Sequence, residues 1–154
     1  MVISAGIQAP DFTLQDETGS IIKLTDFRGK PVVLYFYPKD DTPGCTTEAC
    51  NFRDGYGEYQ RAGVIILGVS PDTVESHVKF KAKYNLPFTL LADIGHKVCD
   101  LYQVWGRKKS MGREYDSVFR TTFVISPDGK IVKVFENVKP DGHSQEVLAA
   151  LKGS

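Results

Sequence analysis

Two short runs of apolar residues, at positions 32–37 and 64–69, constrain the fold of this chain more than any other feature. Both runs are rich in β-branched and aromatic residues, and neither alternates with polar residues, which is typical of strands covered on both faces. A helix is predicted between them at 43–60, and an amphipathic helix follows at 72–84. Strands that alternate with helices form parallel βαβ units, so the pattern predicts an α/β protein.

The remaining segments predict elements that extend this sheet. A short N-terminal hairpin is expected at 12–14 and 21–24, and a late hairpin turns at Asp128-Gly129. The other predictions are a strand at 88–91, a short helix at 96–102, a polar loop at 107–116, strands at 121–125 and 131–135, and a closing helix at 144–151. In the helix at 72–84, the residues expected to face inward are Val74, Val78 and either Phe80 or Tyr84.

Composition and charge exclude several classes of function. The 19 basic residues balance the 19 acidic ones, so no net charge attracts nucleic acid or an anionic membrane. The longest apolar runs are too short to span a bilayer, and the first ten residues carry neither Lys nor Arg. We therefore expect a cytoplasmic protein with no nucleic-acid or membrane partner. No repeat or linker divides the chain, so residues 1–154 are expected to form a single domain.

Three cysteines are too few for the disulfide framework of a small secreted domain. In a reducing compartment, neighbouring cysteines are more often catalytic, redox-sensing or metal-binding than structural. Cys45 and Cys50 are close together in the sequence, whereas Cys99 stands alone among apolar neighbours and is expected to be a buried structural residue. The chemistry is therefore expected at the close pair.

Cys45 is predicted to lie in the first turn of a helix. Thr42 is a favoured N-cap residue and Pro43 suits the first helical position, which makes Cys45 the third. There the sulfur is close to unpaired backbone N–H groups and to the positive end of the helix dipole, an environment that favours a thiolate. Gly44 has no side chain, so a small substrate can approach the backbone at that position. An ordinary turn that leads into a core cysteine would have the same local sequence, and this alternative stays open.

The spacing between Cys45 and Cys50 limits what the pair can do. On a regular helix, Cα atoms five residues apart are separated by roughly 8–9 Å, whereas a disulfide needs about 4.4–6.8 Å. The pair can close only if the first turns of the helix unwind. Gly55 and Gly57 are compatible with a helix that opens easily, because each Gly costs about 1 kcal/mol relative to Ala. The same glycines could instead permit close packing or a helix end.

Other chemistries fit the cysteines less well. A Cys-x-x-Cys disulfide reductase would have two intervening residues, but this pair has four. A structural zinc site needs about four ligands at short spacings, and the three histidines are scattered at His77, His96 and His143. A non-catalytic binding or holdase module would not require Thr42, Cys45 and Arg120 together.

With these motifs in hand, the chain resembles the peroxiredoxins, and within them the peroxiredoxin Q or bacterioferritin comigratory protein group. The resemblance covers essentially the whole length. The family motif Pro-x-x-x-Thr-x-x-Cys is matched by Pro38, Thr42 and Cys45, and the extension of this group by Thr46-x-Glu48-Ala49-Cys50 and Phe52-Arg53-Asp54. A second block is matched by Val104-Trp105-Gly106 and by Arg120-x-Thr122-Phe123-Val124-Ile125.

This resemblance implies a thioredoxin-like fold with an N-terminal β-hairpin extension and a mixed central sheet flanked by helices. It also implies reduction of hydrogen peroxide and organic hydroperoxides, with a thioredoxin-type protein as reductant and without a cofactor or metal. By the same resemblance, Cys45 is the peroxidatic cysteine, Cys50 resolves it as an intramolecular disulfide, and Pro38, Thr42 and Arg120 complete the catalytic site. Thr42, Gly44, Cys45 and Arg120 are the expected peroxide-binding residues. A monomer is expected rather than a stable oligomer.

Several residues near these motifs keep two interpretations. Glu48 or Arg53 would hydrogen-bond the catalytic Arg120 or support the helix, or else belong to ordinary solvated surface. Four aromatic residues also have two interpretations: they form an apolar wall for organic peroxides, or they pack in the core. These residues are Phe36, Tyr37, Trp105 and Phe123. The basic run at 107–109 is expected to be a solvated loop.

Overall fold

The computed structural model describes residues 2–152, and these contain nine strands and five α-helices. The strands are β1 (Thr13–Asp16), β2 (Ile21–Lys23), β3 (Val32–Phe36), β4 (Ile65–Ser70), β5 (Thr89–Ala92), β6 (Trp105–Ser110), β7 (Arg113–Val118), β8 (Thr121–Ile125) and β9 (Ile131–Phe135). The helices are α1 (Pro43–Asp54), α2 (Tyr56–Arg61), α3 (Val74–Tyr84), α4 (Lys97–Leu101) and α5 (His143–Lys152), with a 3₁₀ turn at Leu24–Phe27. Across residues 2–152, no helix combines the length and apolarity needed to cross a bilayer.

Seven strands form one mixed sheet in the order β2-β1-β5-β4-β3-β8-β9. The central strands β3, β4 and β5 are parallel, whereas β8 and β9 add to β3 as an antiparallel hairpin and β1 and β2 add to β5 in the same way. The predicted parallel βαβ units, the late hairpin and the N-terminal hairpin extension are therefore confirmed. This is the arrangement of a thioredoxin-like fold.

The central strand β3 sends alternate side chains into two separate cores, one on each face of the sheet. Val32, Leu34 and Phe36 pack on one face, and Val33 and Tyr35 pack on the other. All five residues are buried. Because helices and connecting segments cover both faces, neither set of side chains needs to be polar, which explains why this strand shows no alternation.

The helices are distributed over both faces of the sheet. Buried residues of α1, α2, α3 and α5 form the core that contains Tyr35. On the opposite face, α4 contributes Cys99 to the other core. This thiol is fully buried, as predicted, and burial raises its pKa far above the ordinary value.

The helix predicted at 43–60 is two helices in the structure. The chain departs from helical geometry at Gly55, which separates α1 from α2. A Cβ atom at Gly55 would lie 2.9 Å from Ser144 Oγ of α5. Glycine is therefore needed here for the close approach of α1 and α5, which supports the packing interpretation of this residue.

The prediction of a polar loop at 107–116 is wrong, because these residues belong to the antiparallel hairpin of β6 and β7. The turn uses Met111 and Gly112, both with positive φ, and Met is an unusual residue at such a position. Ion pairs across the strands join Arg107 to Asp116 and Lys109 to Glu114. The sequence pattern does not predict this hairpin, because paired charges hold the two strands together and the strands show little of the apolar alternation that normally indicates a strand.

The inward face of α3 differs from the prediction at one position. Phe80 is buried as expected, whereas Val78 is 47% exposed and His77 is fully buried instead. His77 and Phe80 lie three residues apart and therefore share one face of the helix. A polar residue takes an inward position here because it has buried hydrogen-bond partners, which the sequence pattern does not reveal.

Phe52 connects helix α1 to the central sheet, and its removal tests how strongly α1 is held. Its side chain is fully buried and its ring stacks on Tyr35 with centroids 4.9 Å apart. We expect Phe52→Ala to lower the free energy of unfolding by about 3–5 kcal/mol, because a large cavity replaces the ring. Urea denaturation measures this loss. The control Met111→Ala, at a side chain that is 98% exposed, should change stability by no more than about 0.5 kcal/mol, and equal losses in both variants would contradict the assignment.

Candidate active site

Helix α1 begins where the sequence predicts. Thr42 occupies the N-cap with extended backbone angles, and Pro43 is the first helical residue. The first backbone bond of the helix runs from the Thr46 amide to the Thr42 carbonyl, 2.8 Å. The amides of Gly44 and Cys45 precede this donor and therefore have no helical carbonyl to bond.

The Thr42 side chain does not cap the helix. Its hydroxyl donates instead to the carbonyl of Lys39 at 2.9 Å, and no side-chain bond to the helix amides is formed. Thr42 therefore occupies the N-cap as predicted, but its side chain does not bond to the helix. With its proton engaged by Lys39, the hydroxyl oxygen keeps lone pairs that can accept a hydrogen bond from a ligand.

Arg120 joins the two residues of α1 that face the sheet in the first turns. Its Nη2 donates to Cys45 Sγ at 3.2 Å, and its Nη1 donates to Glu48 Oε1 at 2.7 Å. Cys45 is 1% exposed and Glu48 is fully buried. The prediction that Arg120 lies beside Cys45 agrees with this geometry. Of the two residues considered as partners of Arg120, Glu48 takes this role, whereas Arg53 donates to the carbonyl of Tyr84 and pairs with Asp54.

The charges at this site influence one another strongly. Burial raises the pKa of Glu48 to about 7, although the charge and hydrogen bond of Arg120 act in the opposite direction. Burial also disfavours the charged form of Arg120, but Glu48 and Cys45 outweigh it, so the pKa of the guanidinium lies above its ordinary value. Arg120 is therefore a fixed cation, whereas Glu48 changes its protonation near neutral pH.

Two buried polar atoms beneath the site have no hydrogen-bond partner among residues 2–152: the Tyr35 hydroxyl oxygen and Glu48 Oε2. Burial, followed by the charges of Glu48 and Cys45, raises the pKa of Tyr35 well above its ordinary value. Tyr35 therefore stays neutral under the conditions in which the site operates. Nothing in the sequence singles out Tyr35, because a Tyr within a strand usually signals core packing.

Gly44 lies against Arg120, and Pro38 lies further back on the same connecting segment. A Cβ atom at Gly44 would lie 3.1 Å from Arg120 Nη2, so the guanidinium rests against the backbone at this glycine. Pro38 is half-buried at the bend that follows β3. Both residues thus lie on the segment that leads from the central strand to Cys45.

Cys50 lies on the same helix as Cys45, one turn and a half further along. It is half-buried, and both thiols are free. Four residues lie between the two cysteines on an intact helix, a spacing that prevents a disulfide. The structure therefore holds the pair in a reduced and separated arrangement.

Lys108 lies close to the site, which the sequence did not predict. The residue belongs to β6 and is half-buried, and its Nζ lies 6.0 Å from the ring centroid of Phe119, the neighbour of Arg120. Burial and the charge of Arg120 lower its pKa, while Cys45 opposes them. The hairpin of β6 and β7 thus brings an additional amine to the surroundings of Cys45.

The aromatic residues near the motifs do not form one wall. Phe36 and Phe123 are fully buried on one face of the sheet, with Trp105 packed at the edge of the same core, whereas Tyr37 is buried on the other face. Trp105 also stacks on His96 with ring centroids 3.9 Å apart. Their distribution supports the core-packing interpretation.

Comparison with known proteins agrees with this fold. Residues 5–134 match the AhpC/TSA family. Peroxiredoxin Bcp of Bacillus subtilis (strain 168) is 49% identical over 152 residues, which cover 99% of this chain and 97% of the relative. Peroxiredoxin Bcp of Escherichia coli (strain K12) is 47% identical over 150 residues, which cover 97% of this chain and 96% of the relative.

Solved structures of related peroxiredoxins have the same fold as this chain. PrxQ of Xylella fastidiosa superposes with a TM-score of 0.93 at 32% identity, covering 99% of this chain and 98% of that structure. A structure of the Xanthomonas campestris bacterioferritin comigratory protein, described for its alkyl peroxide reduction activity, superposes with a TM-score of 0.90 at 39% identity, covering 97% of this chain and 98% of that one.

A thioredoxin-like fold that buries a cysteine beside an arginine, in the first turn of a helix, defines a thiol peroxidase of the AhpC/TSA family. The chain belongs to the peroxiredoxins within that family, in the group formed by Bcp and PrxQ.

The raised pKa of Glu48 predicts how protein stability depends on pH. The folded state binds this proton more tightly than the unfolded chain does, so the contribution of Glu48 to the free energy of unfolding falls as pH rises from about 4.5 to about 7. We expect Glu48→Gln to reduce the loss of stability across this range by about 1–3 kcal/mol. Urea denaturation at pH 4.5 and at pH 7, the two ends of this range, measures the difference.

The matched control is Glu58→Gln. Glu58 is half-exposed and pairs with Lys152 on the surface, so its removal should leave the pH dependence of stability nearly unchanged. A similar pH dependence in wild type and Glu48→Gln would show that the buried carboxylate is not the group that titrates.

Proposed function

We propose that this peroxiredoxin is a two-cysteine hydroperoxide reductase in which Cys45 attacks the peroxide and Cys50 resolves the oxidised sulfur. The observation that carries the proposal is the contact of 3.2 Å between the Arg120 guanidinium and Cys45 Sγ in the buried first turn of α1. A fixed cation and unpaired backbone amides both favour the thiolate, which is the form that reacts with peroxides. On this proposal the substrates are hydrogen peroxide and organic hydroperoxides.

The attack needs stabilisation of charge that moves from sulfur to oxygen. The Cys45 thiolate forms a bond to one peroxide oxygen while the O–O bond breaks, and the departing alkoxide or hydroxide takes up a proton to become an alcohol or water. Donors that surround this charge stabilise the transition state more than the ground state. Arg120 provides charged donors, and the amides of Gly44 and Cys45 provide backbone donors at the helix N-terminus.

Thr42 and Pro38 have supporting roles in the proposal. The Thr42 hydroxyl donates to the Lys39 carbonyl, so its oxygen is left to accept the hydrogen bond of the peroxide O–H and thereby to orient the substrate. Pro38 has no N–H and lies half-buried at the bend before α1. It restricts the access of water to Cys45 without donating a hydrogen bond.

Oxidation leaves a sulfenic acid on Cys45, which condenses with the Cys50 thiol to a disulfide and releases water. On intact α1 the Cα atoms are roughly 8–9 Å apart, so the first turns must unwind. The end of α1 is better anchored than its start, because Phe52 is buried in the core and Asn51 Oδ1 accepts the Ser144 amide of α5 at 2.7 Å. Unwinding is therefore expected to begin at Thr42 and to stop before Asn51.

The catalytic cycle then needs an external dithiol. We propose that a thioredoxin-type protein in the cytoplasm reduces the Cys45–Cys50 disulfide and that no metal or organic cofactor takes part. The Cys99 thiol stays outside the cycle because burial raises its pKa and keeps it protonated. In this cycle residues 1–154 act as one catalytic domain, and the protein functions as a monomer.

Arg120→Met tests the proposed attack. The variant removes the cation while keeping an unbranched apolar side chain, and we expect the rate of peroxide reduction to fall at least about 100-fold with the fold intact by circular dichroism. Stopped-flow measurement of hydrogen peroxide consumption with thioredoxin gives the rate, and Cys45→Ser gives the baseline. Arg107→Met serves as control because Arg107 is exposed and pairs with Asp116. An unchanged rate in Arg120→Met would contradict the proposed role.

Cys50→Ser tests the proposed resolution. This variant should consume about one equivalent of peroxide and accumulate a sulfenic acid on Cys45, because the first step does not involve Cys50. It should lose sustained turnover with thioredoxin. Mass spectrometry after dimedone labelling identifies the trapped sulfenate, and Cys99→Ser, which keeps both reacting thiols, should cycle normally. If Cys50→Ser cycles at the wild-type rate, another thiol resolves the sulfenate.

A further inference from the structure

A buried polar cluster that does not touch Cys45 holds the loop between β3 and α1. At its centre is the carboxylate of Asp40, which is almost fully buried. Asp40 Oδ1 accepts the Tyr37 hydroxyl at 2.6 Å, and Oδ2 accepts the Ser76 hydroxyl at 2.8 Å and lies 2.6 Å from His77 Nδ1. The Asp40 amide donates to Asp72 Oδ2 at 2.8 Å. The side chain and the backbone of Asp40 are thus both tied to neighbouring elements.

The hydrogen-bond geometry of His77 indicates its protonation state. Its Nε2 lies 2.9 Å from the carbonyl oxygen of Leu91, which can only accept, so Nε2 carries a proton. Its Nδ1 lies 2.6 Å from Asp40 Oδ2, an oxygen that also accepts the Ser76 hydroxyl, so Nδ1 donates to this oxygen as well. Both ring nitrogens therefore donate, and His77 is an imidazolium paired with Asp40. Although burial acts against the charge, the Asp40 bond and charge outweigh it and raise the pKa of His77 above its ordinary value.

This pairing argues against a metal site in the same cluster. One ligand atom each from Asp40, Asp72 and His77 lies within 4.8 Å of the others. His77, however, has no free nitrogen lone pair when both nitrogens donate. Asp72 Oδ2 already accepts from the Ser70 hydroxyl at 2.6 Å and from the Asp40 amide. The cluster satisfies its own hydrogen-bonding groups.

Asp41, the residue after Asp40, also attaches the loop to α3. Asp41 has a positive φ of 59°, and its carboxylate accepts from Lys83 Nζ and from the Tyr84 hydroxyl, each at 2.8 Å. Two consecutive aspartates therefore fix the loop immediately before Thr42. In turn, Thr42 bonds back to the Lys39 carbonyl within the same loop. The position of the Thr42 hydroxyl thus depends on contacts between the loop and α3.

We propose that Asp40 and His77 are positioning residues for peroxide reduction, because their buried ion pair fixes Thr42 and the first turn of α1 in the geometry that the peroxide requires. The inference rests on the proposed function of the Cys45 site. Neither residue touches the substrate. A misplacement of a reacting group by about 1 Å can cost 100-fold in rate, so a loop that is loosened at Asp40 would bind and orient peroxide poorly. Cys45 itself would keep its contact with Arg120, which is supplied by a different element.

His77→Gln tests the proposal, because the variant keeps a hydrogen-bond donor and removes the charge. We expect the second-order rate of Cys45 oxidation by hydrogen peroxide to fall about tenfold or more. Alkylation of Cys45 by iodoacetamide, which needs the thiolate but no oriented peroxide, should change less than about threefold because the Arg120 contact is kept. Stopped-flow kinetics measures the first reaction and mass spectrometry the second.

The matched control is His96→Gln. His96, the N-cap residue of α4, also pairs through Nδ1 with an aspartate, Asp100, at 3.0 Å, but both side chains are partly exposed. This variant should keep both rates. The proposal is overturned if His77→Gln reacts with peroxide at a rate within about twofold of wild type. It is also overturned if peroxide oxidation and iodoacetamide alkylation slow equally, because an equal loss would mean that Cys45 itself is disturbed. A wild type that fails to react with peroxide would instead overturn the proposed function.

Asp40→Asn provides a second variant that keeps the shape of the side chain if His77→Gln folds poorly. An amide cannot accept all three of the side-chain donors around Asp40, so a similar selective loss of the peroxide rate is expected. Nitrogen-15 NMR of the imidazole provides an independent signature. In wild type, both ring nitrogens of His77 should stay protonated above pH 6.5, the ordinary pKa of histidine. In Asp40→Asn, only one ring nitrogen should be protonated there. A neutral His77 in wild type would also overturn the proposal.

Discussion

The guanidinium of Arg120 is the group on which the site depends, because it contacts Cys45 and Glu48 at the same time. A planar side chain with two terminal nitrogens can serve a sulfur and a carboxylate together, which a lysine could not do with the same geometry. The arrangement costs desolvation of several groups, and the raised pKa of Glu48 reflects that cost. The central sheet supports it by placing Arg120 immediately before β8, next to the strand that leads to α1.

The two halves of helix α1 differ in their contacts. Its first turns pack in the core through Cys45 and Ala49 and, in addition, contact the charged Arg120 through Cys45 and Glu48. Its last turns are held by packing, through Phe52 in the core, and by the hydrogen bond between Asn51 and α5. Chemistry that changes the charge on Cys45 acts on the first half alone. This division is consistent with a helix that opens locally at its start while the core stays intact.

Two buried ion pairs flank the start of α1, and their roles differ. The pair of Arg120 and Glu48 acts directly at the sulfur, whereas the pair of Asp40 and His77 acts on the preceding loop. Buried ion pairs contribute little net stability compared with apolar packing, but breaking one partner is costly because the other charge is left unpaired. Both pairs are therefore better explained by the geometry that they impose than by the stability that they add.

Local sequence features determined the strands of the central sheet, the start of α1 at Thr42 and Pro43, and the position of Cys45 in its first turn. They also determined that Cys45 and Cys50 cannot bond on an intact helix, since helical geometry fixes their separation. The tertiary structure alone decided the contact of Arg120 with a cysteine 75 positions away, the burial of Glu48 and His77, and the hairpin of β6 and β7. Backbone preferences and spacing act over a few residues, whereas burial and the pairing of distant charges depend on how the strands are ordered in the sheet.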